Sequence, residues 1–127
     1  MVIEVCNVHD DLMEQLYHDK DAGVVLRSLA YAELRRLRFL APTTLCGNCL
    51  EGIGLKDGQQ ILVQFGDFDY QPGDIVLFED LEGHVMLKEF DHWLADEIAV
   101  LRTRYLDPTK DFEVITIKPF MYGKVLR

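Results

Sequence analysis

The sequence predicts a mostly β, antiparallel fold with one or two short N-terminal helices. Two observations carry that prediction. From Thr44 onward, short apolar runs ("ILVQF", "DIVLFE", "HVMLKEF", "IAVLRTR", "FEVITIK" and "MYGKVL") are separated by turn chemistry in "QPGD", "LEGH" and "LDPTKD". From Val8 to Lys20 the apolar residues recur at helical spacing instead. With 127 residues, 49% of them hydrophobic, the chain can bury one core but hardly two. The expected organisation is a helical segment over residues 1–35 and a β domain over 36–127, joined in one compact unit. No repeat and no low-complexity segment interrupts it.

In chain order, "VHDDLMEQLYHDK" from Val8 to Lys20 places Leu12, Leu16 and Tyr17 on one helical face, with Asp10 or Asp11 able to cap the first turn. Between Asp21 and Leu40 the signals conflict. "SLAYAELRRL" has helix formers and a Ser28 cap, whereas "RLRFL" alternates, so a helical piece running into a strand is expected. Further on, Glu82-Gly83 suits a hairpin turn that pairs Asp74–Glu79 with His84–Phe90. In the second of these strands Val85, Leu87 and Glu89 point one way, and His84, Met86, Lys88 and Phe90 the other. Lys88 therefore shares a face with Met86 and Phe90, an odd setting for a lysine.

Charge and cysteine usage exclude several functions. The 22 acids against 13 bases give a net charge of -9, which would repel a nucleic-acid backbone. The basic cluster Arg35, Arg36 and Arg38 in "LRRLRF" reads as the solvated side of a half-buried element. No apolar run is long enough to span a membrane, and Met1–Lys20 carries acids where a signal peptide needs a basic end, so a soluble, cytoplasmic chain is expected. The three cysteines, Cys6, Cys46 and Cys49, are odd in number and read as reduced thiols. Cys46 and Cys49 form a C-x-x-C, but it precedes a glycine-rich turn and strands rather than opening a helix, as a redox motif would. A zinc site would need two more ligands from Cys6, His9, His18, His84 and His92, and no second paired motif supplies them. Trp93 reads as a core or interface anchor.

"GNCLEGIGLKDGQQILV", followed by "GDIVLFEDLEGHVMLKEF", resembles the self-cleaving peptidase domain of the LexA repressor, its UmuD relatives and phage repressors, whose fold core is shared with bacterial signal peptidases. Gly47 matches the family's leading glycine, Cys49 falls where its nucleophilic serine stands, and Leu50 replaces its methionine. Gly54, Asp57 and Gly58 fill the turn, Gly73 and Asp74 open the next strand, and Lys88 falls on the catalytic lysine. The likeness covers about residues 39–127, with "MYGKVLR" similar to the closing strand. The chain departs from the pattern at Cys49, at Gln59 in place of an acid, and at Glu89 in place of a basic residue.

The resemblance implies a LexA/signal-peptidase-like antiparallel β fold over 36–127 and a Cys49/Lys88 dyad. Cys49 would act as nucleophile and Lys88 as general base, with the backbone N–H groups of Asn48 and Cys49 as oxyanion hole. The implied reaction is self-cleavage or limited peptide-bond hydrolysis, with Ala22-Gly23 in "DAGVV" as a candidate cleavage bond. No metal or other cofactor is implied. The partners expected are a second copy of the chain or a protein or peptide substrate, without direct nucleic-acid or membrane binding. A catalytically silent dimerisation module of a regulator is the alternative.

Overall fold

The computed structural model describes residues 24–127. The Val8–Lys20 helix and the Ala22-Gly23 bond expected from the sequence lie outside the described residues. One α-helix, α1 (Val24–Leu37), precedes seven strands: β1 (Leu40–Thr44), β2 (Gln60–Phe65), β3 (Ile75–Glu79), β4 (Val85–Ala95), β5 (Ile98–Arg102), β6 (Glu113–Ile117) and β7 (Met121–Val125). They form one sheet in the order β1-β2-β7-β3-β4-β5-β6, every neighbouring pair antiparallel. The mostly β expectation is met. No described helix is long and apolar enough to cross a membrane.

Helix and strand divide later than the local pattern suggested. Ser28 lies inside α1 rather than at its start, and most of "RLRFL" is the end of the helix and its cap. The cap explains the boundary. Arg38 adopts a left-handed conformation (φ 55°), the Phe39 N–H donates to Leu34 O at 3.1 Å, and the Arg38 N–H donates to Arg35 O at 3.1 Å. This closes the carbonyls of the last turn in a Schellman arrangement and turns the chain into β1. Arg35 leaves the solvated face predicted for it: Nη1 donates to Pro119 O and Met121 O, and the guanidinium lies 5.6 Å over the Tyr122 ring. Arg36 remains exposed and pairs with Glu33, whose carboxyl its hydrogen bond holds below the ordinary range.

The sheet is covered on both faces. One cluster packs Ala30, Tyr31 and Leu34 of α1 against Val63, Leu77 and Leu87, and the other gathers Val76, Phe78, Met86, Phe90 and Leu101. Because β3 lies mid-sheet, all of Ile75–Glu79 is buried, with alternate residues serving opposite clusters. β7 slots between β2 and β3 because Gly123 allows it: a Cβ there would sit 2.4 Å from Gln64 O. Such close backbone approach is a glycine's role in a strand.

The predicted hairpin forms, with Val76 opposite Lys88 and Glu79 opposite Val85. Its turn spans more than Glu82-Gly83. Asp80 N–H donates to His84 O at 2.9 Å, Asp80 Oδ1 accepts from the N–H groups of Glu82 and His84, and Gly83 takes φ 87°. At its other end, Gln71-Pro72-Gly73-Asp74 is a type II turn, closed by Asp74 N–H to Gln71 O at 3.0 Å with Gly73 at φ 97°. These two turns fix the register of β3 on β4, and with it the position of Lys88.

Candidate active site

The loop after β1 carries Cys49. It is anchored at both ends: Leu45 N–H donates to Gln59 O and Gly58 N–H to Leu45 O, each at 2.8 Å. Across its middle, Gly47 N–H donates to Asp57 Oδ1 at 2.7 Å. Thus Gly47 and Asp57, matched separately to the peptidase pattern, hold one another. Asn48 and Cys49 lead into a 3-10 turn, Glu51–Ile53, which ends at Gly54 with φ 88°. Leu50 O accepts from both Ile53 and Leu55. The sulfur of Cys49 is thereby directed inward beside Leu45 and Leu50, in the cluster beneath α1.

Lys88 arrives from β4. Its Nζ lies 3.6 Å from Cys49 Sγ, and Cys49 Sγ lies 3.8 Å from Leu87 O. The structure brings the two sequence-selected side chains together across thirty-nine residues of chain. Both are sealed from solvent, at 0% and 1% exposure. Strand alternation predicted Lys88 on the side of Met86 and Phe90; those two join the second cluster, while Val85 and Leu87 join the first. The lysine ammonium also stands 5.7 Å from the centroid of the Phe112 ring, within cation–π range.

Of the three cysteines expected to be reduced, Cys49 departs from that state, and Cys6 lies outside the described residues. Cys46 is an exposed thiol outside any disulfide, its Sγ 3.9 Å from Thr44 O, whereas Cys49 is disulfide-bonded. Cys46 and Cys49 are therefore not bonded to one another, which removes the C-x-x-C disulfide that a redox motif would carry. Among the described residues the cluster with metal-ligand spacing is Asp80, Glu82 and His84 at the hairpin turn, and it contains neither cysteine.

The segment between β5 and β6 braces the Cys49 loop, and sequence reasoning did not find it. Arg104 N–H donates to Cys49 O, and Gly52 N–H donates to Arg104 O, both at 2.6 Å. The Arg104 side chain pairs with Glu89, the residue following Lys88, so one residue joins the Cys49 loop and the lysine strand. Asp111 organises the segment: Oδ1 accepts from Thr103 Oγ1 at 3.1 Å and from Tyr105 N–H at 2.7 Å, and Arg102 lies 3.5 Å from Oδ2. The available signal was Glu89 itself. An acid at 8% exposure needs a cationic partner, and Arg104 is near in sequence to the strand that pairs with β4.

Chemically, the pair is a sulfur and an amine in hydrogen-bond contact in a dry site. Burial alone opposes a charged amine and a charged thiolate alike, while each charge stabilises the other. A reduced Cys49 beside Lys88 can pass its proton to nitrogen without meeting water. No known protein family, curated protein or solved structure matches the chain.

Proposed function

We propose that this chain is a LexA-like peptidase-domain protein with a Cys49/Lys88 dyad, acting by self-cleavage or limited peptide-bond hydrolysis. The observation that carries the reading is the 3.6 Å contact between Lys88 Nζ and Cys49 Sγ inside the core. The reduced form is the reactive one. A dithiol reductant would open the Cys49 disulfide by exchange, ending as its own disulfide and leaving Cys49 as a thiol. Lys88 would take the thiol proton, the thiolate would attack a peptide carbonyl, and backbone N–H groups of Asn48 and Cys49 would receive the oxyanion. The ammonium would then return its proton to the departing amine, and water would release the acyl group from sulfur. Ala22-Gly23 is the bond proposed for self-cleavage.

The test is alkylation of the reduced protein across pH, read by mass spectrometry, with exposed Cys46 as control. Cys49 should show a midpoint below the ordinary thiol value of about 8.5. That midpoint should rise by about one pH unit or more in Lys88→Met, which keeps the volume of the lysine stem. A Cys49 midpoint equal in the two proteins would sink the dyad. Complete burial of the pair favours a second reading, a silent dimerisation module built on the same fold. Self-cleavage that is abolished by Cys49→Ala would decide against it.

A further inference from the structure

We infer that the Phe112 ring is the gate through which a substrate reaches the Cys49/Lys88 pair, opening by side-chain rotation while its backbone stays in place. The inference rests on the reading of that pair as a dyad and adds what controls entry to it. Cys49 and Lys88 are 0% and 1% exposed, so neither a peptide carbonyl nor water reaches them until a covering group moves. The walls around them are unequal. Leu45, Leu50 and Leu87, which share the cluster beneath α1 with Cys49, are fully buried and cannot yield without opening the core. Phe112 has its ring centroid 5.7 Å from Lys88 Nζ and is itself 48% exposed. On that side a single ring separates the ammonium from solvent.

The backbone of Phe112 is held at both of its polar groups. Its N–H donates to Thr103 Oγ1 at 3.0 Å, and its carbonyl accepts from Thr103 N–H at 3.1 Å. Thr103 is fully buried, and its hydroxyl donates in turn to Asp111 Oδ1 at 3.1 Å. These bonds pin the two ends of the segment between β5 and β6 to one another. The ring is not pinned in that way. Its neighbour is the Tyr105 ring, 6.4 Å away and packed against the first cluster. Rotation about χ1 carries the Phe112 ring from the ammonium toward water without breaking either backbone bond.

Closed is the resting position, because there the ring keeps its cation–π contact with Lys88 and its contact with Tyr105. A closed ring also keeps water from the pair, which strengthens the attraction between an ammonium and a thiolate. The opening is needed twice. It first admits the dithiol that reduces Cys49, and then the peptide whose carbonyl the sulfur attacks. Phe112 thus differs from Arg104, which holds the Cys49 loop by its carbonyl and leaves entry to the ring.

The test is the rate at which iodoacetamide alkylates Cys49 in the reduced full chain, read by mass spectrometry at the pH where each protein has reached its plateau, with exposed Cys46 as control. At the plateau the thiol is fully ionised, so the rate reads entry rather than proton affinity. Phe112→Ala should raise the Cys49 plateau rate at least about tenfold, with Cys46 and far-UV circular dichroism unchanged. Leu106→Ala, in the same segment at 71% exposure, should leave both cysteines at their wild-type rates. Urea well below the unfolding transition separates the two routes of entry in the wild-type chain, without any variant: ring rotation gives a rate indifferent to urea, unfolding a rate that climbs with it. A plateau rate equal in wild type and Phe112→Ala, or a wild-type rate that climbs with urea, would overturn the gate. An unshifted midpoint in Lys88→Met counts against the dyad alone and leaves the plateau comparison standing, so the two failures are distinguishable.

Discussion

Tyr70 shows how one hydroxyl can bear on stability. Its ring is packed beside Phe68 and Phe90, and its Oη is buried without a hydrogen-bond partner among the described residues. An orphaned hydroxyl forfeits its bonds to water, so Tyr70→Phe should raise stability by about 1 kcal/mol in urea unfolding. Burial, first among the causes, pushes the Tyr70 hydroxyl well above its ordinary value of 10.0. The unfolded chain therefore releases this proton at lower pH than the folded protein. Stability is unaffected below about pH 10 and declines as pH rises further toward the folded value. Between pH 9 and 11 the decline should be shallower in Tyr70→Phe; equal slopes in the two proteins would contradict the buried neutral phenol. At this scale the sequence was informative where a residue was out of place. Lys88 stood out because alternation put a lysine among apolar neighbours, and Cys49 because of the glycines around it. Nothing comparable marks Tyr70, since an aromatic in an apolar neighbourhood looks the same with or without a partner for its hydroxyl.

Among the elements, the strands were legible and the brace on the Cys49 loop was not. Runs such as "FEVITIK" and "MYGKVL" correspond to β6 and β7, and Gly73 and Gly83 mark turns that need positive φ. β4 runs on to Ala95 because "DHWLA" continues to pair with β5 through two bulges, a tertiary contact that no local pattern announces. Arg104 is hidden for a similar reason: its grip on the Cys49 loop is made by backbone atoms. Gly52 makes that grip possible. A Cβ at Gly52 would lie 2.7 Å from Tyr105 O and 2.8 Å from Arg104 O, both backbone atoms with little room to yield. Gly52→Ala should push the two segments apart, break the Gly52 and Arg104 bonds, and cost about 1 to 3 kcal/mol. It should also move the Cys49 alkylation midpoint toward that of an ordinary thiol. A variant as stable as wild type, with unaltered Cys49 chemistry, would show that the brace does not position Cys49.

For the whole molecule, the strand order was the least legible feature. β7, last in sequence, lies between β2 and β3, and β3 lies between β7 and β4. Hairpins can be read from turns, but insertion of a closing strand depends on Gly123 meeting β2, a contact between residues far apart in the chain. The arrangement makes the two clusters share strands, because Leu77 faces the first and Phe78 the second from the same stretch of β3. The two faces should therefore unfold as one cooperative unit. Trp93, the only tryptophan, packs against Phe90 on the second cluster, and so reports on the side away from α1. Leu77→Ala, on the first cluster, should cost about 2 to 5 kcal/mol and shift the Trp93 fluorescence transition as far as the far-UV circular dichroism transition. If the fluorescence midpoint stayed at its wild-type position while the dichroism midpoint fell, the faces would be separable. The Cys49/Lys88 pair would then depend only on the cluster beneath α1. Coincident midpoints would mean that the Cys49/Lys88 pair draws on the stability of both faces, since the strand that carries Lys88 contributes to each.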